Sequence, residues 1–262
     1  MKELSVLITH YLPYSYCFFL ALMRIFGIVY FFPFFSSMSV PWQTKAGLAL
    51  ALSFITLPFL KVHVLPMSIW EMGISILREL FIGISLGFIV QVIFDAIQLA
   101  GQIIGYQMGF AIVNVIDPYA NIQVSIIAKF KELLALLIFF CINAHYSLIT
   151  SLSKSFEFIP ISRWAFNNRM VAQMIQWTGK MFVIGLEIAA PVLVTLLLTN
   201  VALALIARTM PQINVFIIGF PLEIGMGFLM LGITLPFFSW CFRHFFEMGL
   251  YEMWLNLRLG GM

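Results

Sequence analysis

Charge is what this chain has least of. Only 10% of its 262 residues are Asp, Glu, Lys or Arg, whereas a soluble domain carries about 25%. With 62% hydrophobic residues and a mean hydropathy of +1.03, a water-soluble domain is excluded and several membrane spans are expected. The net charge of +3 is small and dispersed, which removes the electrostatic footprint of a nucleic-acid binder. Cysteine is scarce as well. Cys17, Cys141 and Cys241 lie far apart in apolar segments without a CxxC pair, so we expect buried thiols rather than disulfides or a zinc site. His10, His63, His145 and His244 are scattered, and there is no HExxH, phosphate loop or dinucleotide fingerprint. The expectation is therefore no catalytic residue, no metal and no cofactor. The run GISLG at 83–87 does fit G-x-S-x-G. That motif needs a sharp strand-to-helix turn, and Ser85 sits in the middle of an apolar helical pattern. No internal repeat, low-complexity tract, interdomain linker or removable signal peptide is legible.

What is present is a succession of apolar runs broken by proline and by isolated charges. Residues 14–35 (with Arg24), 45–60, 71–100, 126–149, 181–207 and 215–240 read as six spans. The third carries Arg78, Glu79, Gln91, Asp95 and Gln98, and Gly83 and Gly87 mark a close-approach site on it. The polar segment 154–180 holds Met170, Val171, Met174 and Ile175 at helical spacing, as in a short amphipathic surface helix. Residues 242–257 are amphipathic too: Phe242, Phe245, Phe246, Leu250, Met253, Trp254 and Leu257 oppose Arg243, Glu247 and Asn256. That tail, 241–262, reads as an interfacial helix or a docking helix. The rest is one membrane unit over 1–262. Six spans and the distribution of Lys and Arg place both termini in the cytoplasm.

Charges argue for company. Arg24, Arg78, Glu79, Asp95, Glu187 and Glu223 lie within or beside apolar runs, and each would cost about 2.5–3.5 kcal/mol at a bilayer centre. They snorkel, pair internally, line water, or leave the bilayer inside a larger complex. The organising stretch is 101–125, GQIIGYQMGFAIVNVIDPYANIQVS. Gly101, Gly105 and Gly109, four apart, form one flat helical stripe, and Asp117-Pro118 stops the helix. Irregular backbone between membrane spans is tolerated at depth only when buried in protein or lining a cavity. The stretch therefore reads either as a plug in a conducting path or as an inter-helix loop in water.

A resemblance bears on that choice. The block ARTMPQINVFIIGFPLEIGMGFLML at 207–231 resembles the signature of the flagellar biosynthetic protein FliR family, whose injectisome homologues form the SctT family. Arg208, Pro211, Gln212, Asn214, Val215, Phe216, Gly219 and Pro221 carry it. The segments 101–118 and 40–53 (VPWQTKAGLALALS) are similar to that family as well. The resemblance implies an all-α, multi-helix integral membrane protein of kinked helical hairpins. It would be packed with FliP-like and FliQ-like subunits in a hetero-oligomeric conical export gate, beside FlhB-like and FlhA-like export components. The gate would lie in the bacterial inner membrane at the flagellar basal body, much of it above the bilayer plane, and pass unfolded substrates. Residues 106–123 would plug the closed channel, which assigns Gly105, Tyr106, Gln107, Met108, Gly109, Phe110, Asn114, Asp117 and Pro118 to a constriction. Gly101, Arg208, Pro211, Gln212, Asn214, Phe216, Gly219, Pro221 and Glu223 would pack against partners. Glu223 departs from the basic residue of many relatives, and GFP at 219–221 is more flagellar than injectisome-like. The alternatives are an injectisome export-gate subunit and, without the resemblance, a stand-alone secondary transporter, against which the missing repeat symmetry argues.

Overall fold

The computed structural model describes the backbone of residues 2–36, 40–60, 68–110, 125–161, 168–212 and 214–260. Among these residues the secondary structure is entirely helical. Helix α1 spans Lys2–Phe31, α2 Pro33–Ser36 and α3 Trp42–Thr56, followed by a 3-10 turn at Leu57–Phe59. Helix α4 spans Ile69–Gln107, α5 Ile126–Cys141 and α6 Ala144–Phe158. Helix α7 spans Asn168–Thr209, α8 Val215–Ile233 and α9 Leu235–Gly260. The chain is an all-α, multi-helix integral membrane protein.

Among the described residues three helices are long and apolar enough to cross a membrane, at Pro13–Phe31, Ile69–Gln107 and Met170–Thr209, or up to five spans if the bent pairs α5/α6 and α8/α9 each count as one. Six spans are not found among the described residues, so the parity that put both termini on one side has no support from them. Each discrepancy has a local cause. Helix α3 has 15 residues, about 22 Å, short of the roughly 30 Å hydrocarbon core. The run 126–149 is interrupted at Asn143, whose φ of 55° is left-handed, a conformation asparagine tolerates better than most residues. The run 215–240 bends at Thr234 because Pro236 cannot donate to the carbonyl one turn earlier and its ring crowds it. The segment expected to be a separate surface helix near 170–175 is instead the first turns of the 42-residue α7. Its Met170 and Trp177 are buried. Helices α4 and α7 measure about 58 and 63 Å from their 39 and 42 residues. Each is about twice the hydrocarbon thickness, so a large part of each lies outside it.

The chain divides into two compact units, with α4, α7 and α9 contributing a stretch to each. The first comprises Met1–Val92, Asn143–Trp177 and Glu247–Met262. It is built on a close crossing of α1 and α4. A side chain at Gly27 would strike the α4 backbone at Leu80 and Ile84, at 2.9 Å from each. One at Gly83 would collide with the Arg24 carbonyl, so the expected close-approach site on α4 is occupied by α1. At this crossing the Arg24 guanidinium is fully buried. Its Nε donates to Glu79 Oε2 at 2.6 Å, Nη1 to the carbonyl and hydroxyl of Ser155 at 2.9 and 3.2 Å, and Nη2 to the Ile159 carbonyl at 3.0 Å. The ring of Phe156 lies 4.4 Å away. Two of the charges that argued for an outside partner are thus satisfied inside the chain. Near the C-terminus, Trp254 Nε1 donates to Ser151 at 3.0 Å, and Lys154 stacks on the Trp254 ring at 3.9 Å. Ser85 donates to its own helix at the Ile82 carbonyl, as an ordinary helical serine does.

The second unit comprises Ile93–Ile142 and Thr178–Phe246. Its centre is an aromatic cluster in which Phe94 meets Phe139 and Phe242 edge-on, with centroids 6.1 and 5.6 Å apart, and Phe139 meets Phe246 at 5.5 Å. Lys131 is buried beside it, its ammonium 4.7 Å from the Phe238 centroid. Cys17 and Cys241 are buried as expected, but Cys141 is exposed. Leu197, Leu198, Val201 and Leu205 of α7 and Ile217 and Leu222 of α8 are exposed, apolar surface of the kind that lipid or another subunit covers.

Candidate functional site

Helix α4 ends well before Asp117-Pro118, and its stop signal is Gly109. The Phe110 N–H donates to the Gly105 carbonyl and the Gly109 N–H to the Tyr106 carbonyl, both at 3.1 Å, while Gly109 has φ +84°. This pair of bonds, six-to-one around five-to-two, is the Schellman termination, in which the left-handed position favours glycine. Asn114, Asp117 and Pro118 lie outside the described residues.

The cap aims three consecutive residues at α8. Met108 is 0% exposed. It lies against Gly227, where any Cβ would come within 2.6 Å of its Cγ and 2.7 Å of its Sδ. A side chain at Gly109 would meet the Phe220 ring at 3.1 Å and Glu223 Oε2 at 3.7 Å. Phe110 packs edge-on against Phe228, with centroids 6.3 Å apart. The two preceding glycines of the stripe face α5 instead. A side chain at Gly101 would collide with Ala128, and one at Gly105 with Ser125 Oγ. The fourfold spacing therefore marks a helix seam at two positions and a chain reversal at the third. Of the side chains assigned to a seal, Met108 is wholly enclosed, Gln107 and Phe110 are half-buried, and Tyr106 is 64% exposed. Tyr106 is the large ring that this turn offers to whatever lies outside the chain.

The second group occupies the reversal between α7 and α8. Arg208, Pro211, Gln212 and Asn214 are exposed there. Arg208 lies in the last turn of α7, where a cation complements the helix dipole, and the Asn214 carbonyl accepts the Ile217 N–H at 3.1 Å at the entry to α8. Gly219 is buried, and a Cβ on it would touch Leu203 of α7 at 3.4 Å. Pro221 is exposed. The Phe216 side chain lies outside the described residues. Glu223 separates from this group in space, because its carboxylate approaches Gly109.

Sequence reasoning did not single out Gly227, Phe228, Ala128 or Ser125, and met Phe220 only within GFP at 219–221. A signal for the α8 set existed. Phe220, Glu223, Gly227 and Phe228 fall at i, i+3, i+7 and i+8, one helical face. In α8 the uniform hydrophobicity around the helix hid it.

Comparison with known proteins supplies a context for this arrangement. Residues 15–249 match the family described as bacterial export proteins, family 1. The flagellar biosynthetic protein FliR of Escherichia coli K12 is 32% identical over 245 residues, 93% of this chain and 94% of that one. Its counterpart in Bacillus subtilis 168 is 33% identical over 250 residues, 94% and 96% of the two chains. That of Pectobacterium carotovorum is 30% identical over 234 residues, 88% of each.

Proposed function

From the premise that the chain belongs to family 1 of the bacterial export proteins, we propose that it is a channel-forming subunit of the flagellar type III export apparatus, passing unfolded flagellar proteins across the inner membrane. Its standing as a flagellar export component follows from relatives named flagellar biosynthetic protein FliR that cover nearly its whole length. The channel role is the further step. The observation that carries it is the end of α4: a capped turn with Tyr106 exposed, set in a unit whose outer helix faces are apolar. A loop that merely joined helices in water would not need a fully enclosed methionine and a close-packed glycine on each side of it.

In this reading residues 105–110 form the described part of the closed constriction. The hairpin tip at Arg208, Pro211, Gln212 and Asn214 meets neighbouring export subunits, FliP-like and FliQ-like, with FlhB-like and FlhA-like components nearby. Phe216, Pro221 and the α5-facing Gly101 belong to the same packing surfaces. Exposed apolar residues along α7 and α8 support an assembly that covers them, and helices about twice as long as the hydrocarbon core is thick support one that extends beyond it.

Disrupting the gene in its own host tests the reading. We expect secretion of flagellar filament and hook proteins to stop while general secretion continues, and the tagged chain to co-purify with other export subunits. Continued flagellar secretion in the disrupted strain would reject the assignment, and loss of a virulence secretome in its place would favour the injectisome alternative.

A further inference from the structure

The contacts between the end of α4 and α8 are more specific than a chain reversal needs. The Schellman cap fixes the direction of Met108 and Phe110 through backbone bonds alone. Met108 then fills a notch that exists only because position 227 has no side chain: a Cβ there would lie 2.5–2.7 Å from its Cε, Cγ and Sδ. Gly109 sits under the Phe220 ring, and Phe110 closes on Phe228. Three successive residues are thus held by about two turns of one helix. The opposite side of that helix carries Ile218, Leu222, Leu229 and Ile233, all exposed. Helix α8 therefore has one face on the turn and another free to meet a neighbour.

We infer that Met108 and Gly227 form a latch, with both as positioning residues that hold the 105–110 turn shut from α8. The inference rests on the reading of that turn as part of a seal. A methionine suits the task because its unbranched thioether conforms to a shallow socket and can leave it without rearranging a branched side chain. With the latch seated, Phe110 and the turn are fixed against α8. A shift of α8 by less than one residue's rise takes Gly227 away from Met108 and frees the turn. The force for that shift would come from whatever packs on the outer face of α8.

A double-mutant cycle on the assembled complex tests the latch. Met108→Ala, Gly227→Val and the double variant are produced with the other export subunits, and small-ion leak is measured across vesicles containing complexes that assemble at the normal level. Each single variant is expected to raise the leak about tenfold or more, the scale set by the cavity penalty for a buried methionine. The double variant should return to near the parent value, because valine fills the space the methionine leaves. If the two effects simply multiply, or if Gly227→Val is as tight as the parent, the latch is wrong. Should Gly227→Val fail to assemble, Gly227→Ala replaces it with the same expectations, since alanine is the better helix former and can harm only the socket. Phe110→Asp separates the two levels of the argument. A leaky Phe110→Asp beside a tight Gly227→Val overturns the latch alone, whereas a tight Phe110→Asp overturns the seal on which it rests.

Discussion

Replacing Arg24 with alanine removes a cation that five groups surround. Its guanidinium is bonded to Glu79, to both oxygens of Ser155 and to the Ile159 carbonyl, and it lies against Phe156. Arg24 and Glu79 are 0% and 1% exposed. The substitution takes the Arg24 cation from the Glu79 carboxylate and the guanidinium bonds from the Ser155 and Ile159 carbonyls, of which the Ser155 carbonyl keeps the Ile159 N–H at 3.0 Å. Losing one partner of a buried ion pair costs about 3–5 kcal/mol. The lost carbonyl bonds fall within that range rather than adding to it, because the groups act as one network. In a unit of this size the corresponding fall in melting temperature is on the order of 10 °C. Thermal unfolding of the purified chain in detergent measures it. The diagnostic comparison is Arg24→Met with Glu79→Met, which removes both charges and keeps much of the volume. We expect the double variant to recover most of the loss, because a buried pair gives little net stability over an apolar replacement. If Arg24→Ala unfolds at the parent temperature, or if the double variant is less stable than either single one, the reasoning fails.

Three further outcomes follow from the same packing. Gly83→Ala places a methyl group into the Arg24 carbonyl on the facing helix; backbone cannot yield as a side chain can, so the yield of folded protein should drop sharply, whereas the same change at Gly73, with open space around it, should be neutral or better. Gly109→Ala forces a side chain into a left-handed position at about 1 kcal/mol and against Phe220 at 3.1 Å, so it should leave expression nearly unchanged and raise ion leak through the assembled gate. Lys131→Met exchanges a buried ammonium, compensated by a ring contact worth about 0.5–2 kcal/mol, for an apolar chain of similar length. Its melting temperature should equal or exceed the parent's, and a stable but export-dead variant would mark Lys131 as functional.

How far the sequence carried the argument depended on whether a feature was local. The glycines at 83 and 87, four apart, announced a close helix approach, and the structure places α1 there. Nothing local named α1 as the neighbour, because Arg24 and Glu79 meet across 55 residues. For the same reason Arg24 and Glu79 looked more costly than they are. Helix ends were misplaced where two stop signals competed. Asp117-Pro118 is the louder one, yet Gly109 follows the last helical turn directly and ends α4 first. Asn143 breaks an apolar run without any proline, through a left-handed conformation that composition does not display. The segment 154–180 looked like a surface helix because its polar residues outweighed the aromatic and methionine face that is buried inside the unit. The close approach at Gly101 and Gly105 was legible from their spacing; the seat of the 108–110 turn on α8 was not, because α8 is apolar nearly all round.

The most direct test of the channel reading places a photo-crosslinking amino acid at Tyr106, the exposed ring at the end of α4, in the assembled apparatus while a flagellar substrate is stalled in transit by a folded tag. The account predicts a covalent adduct between position 106 and the stalled substrate, absent when export is de-energised. An adduct only with lipid, or labelling of position 106 by membrane-impermeant reagents regardless of substrate, would contradict it.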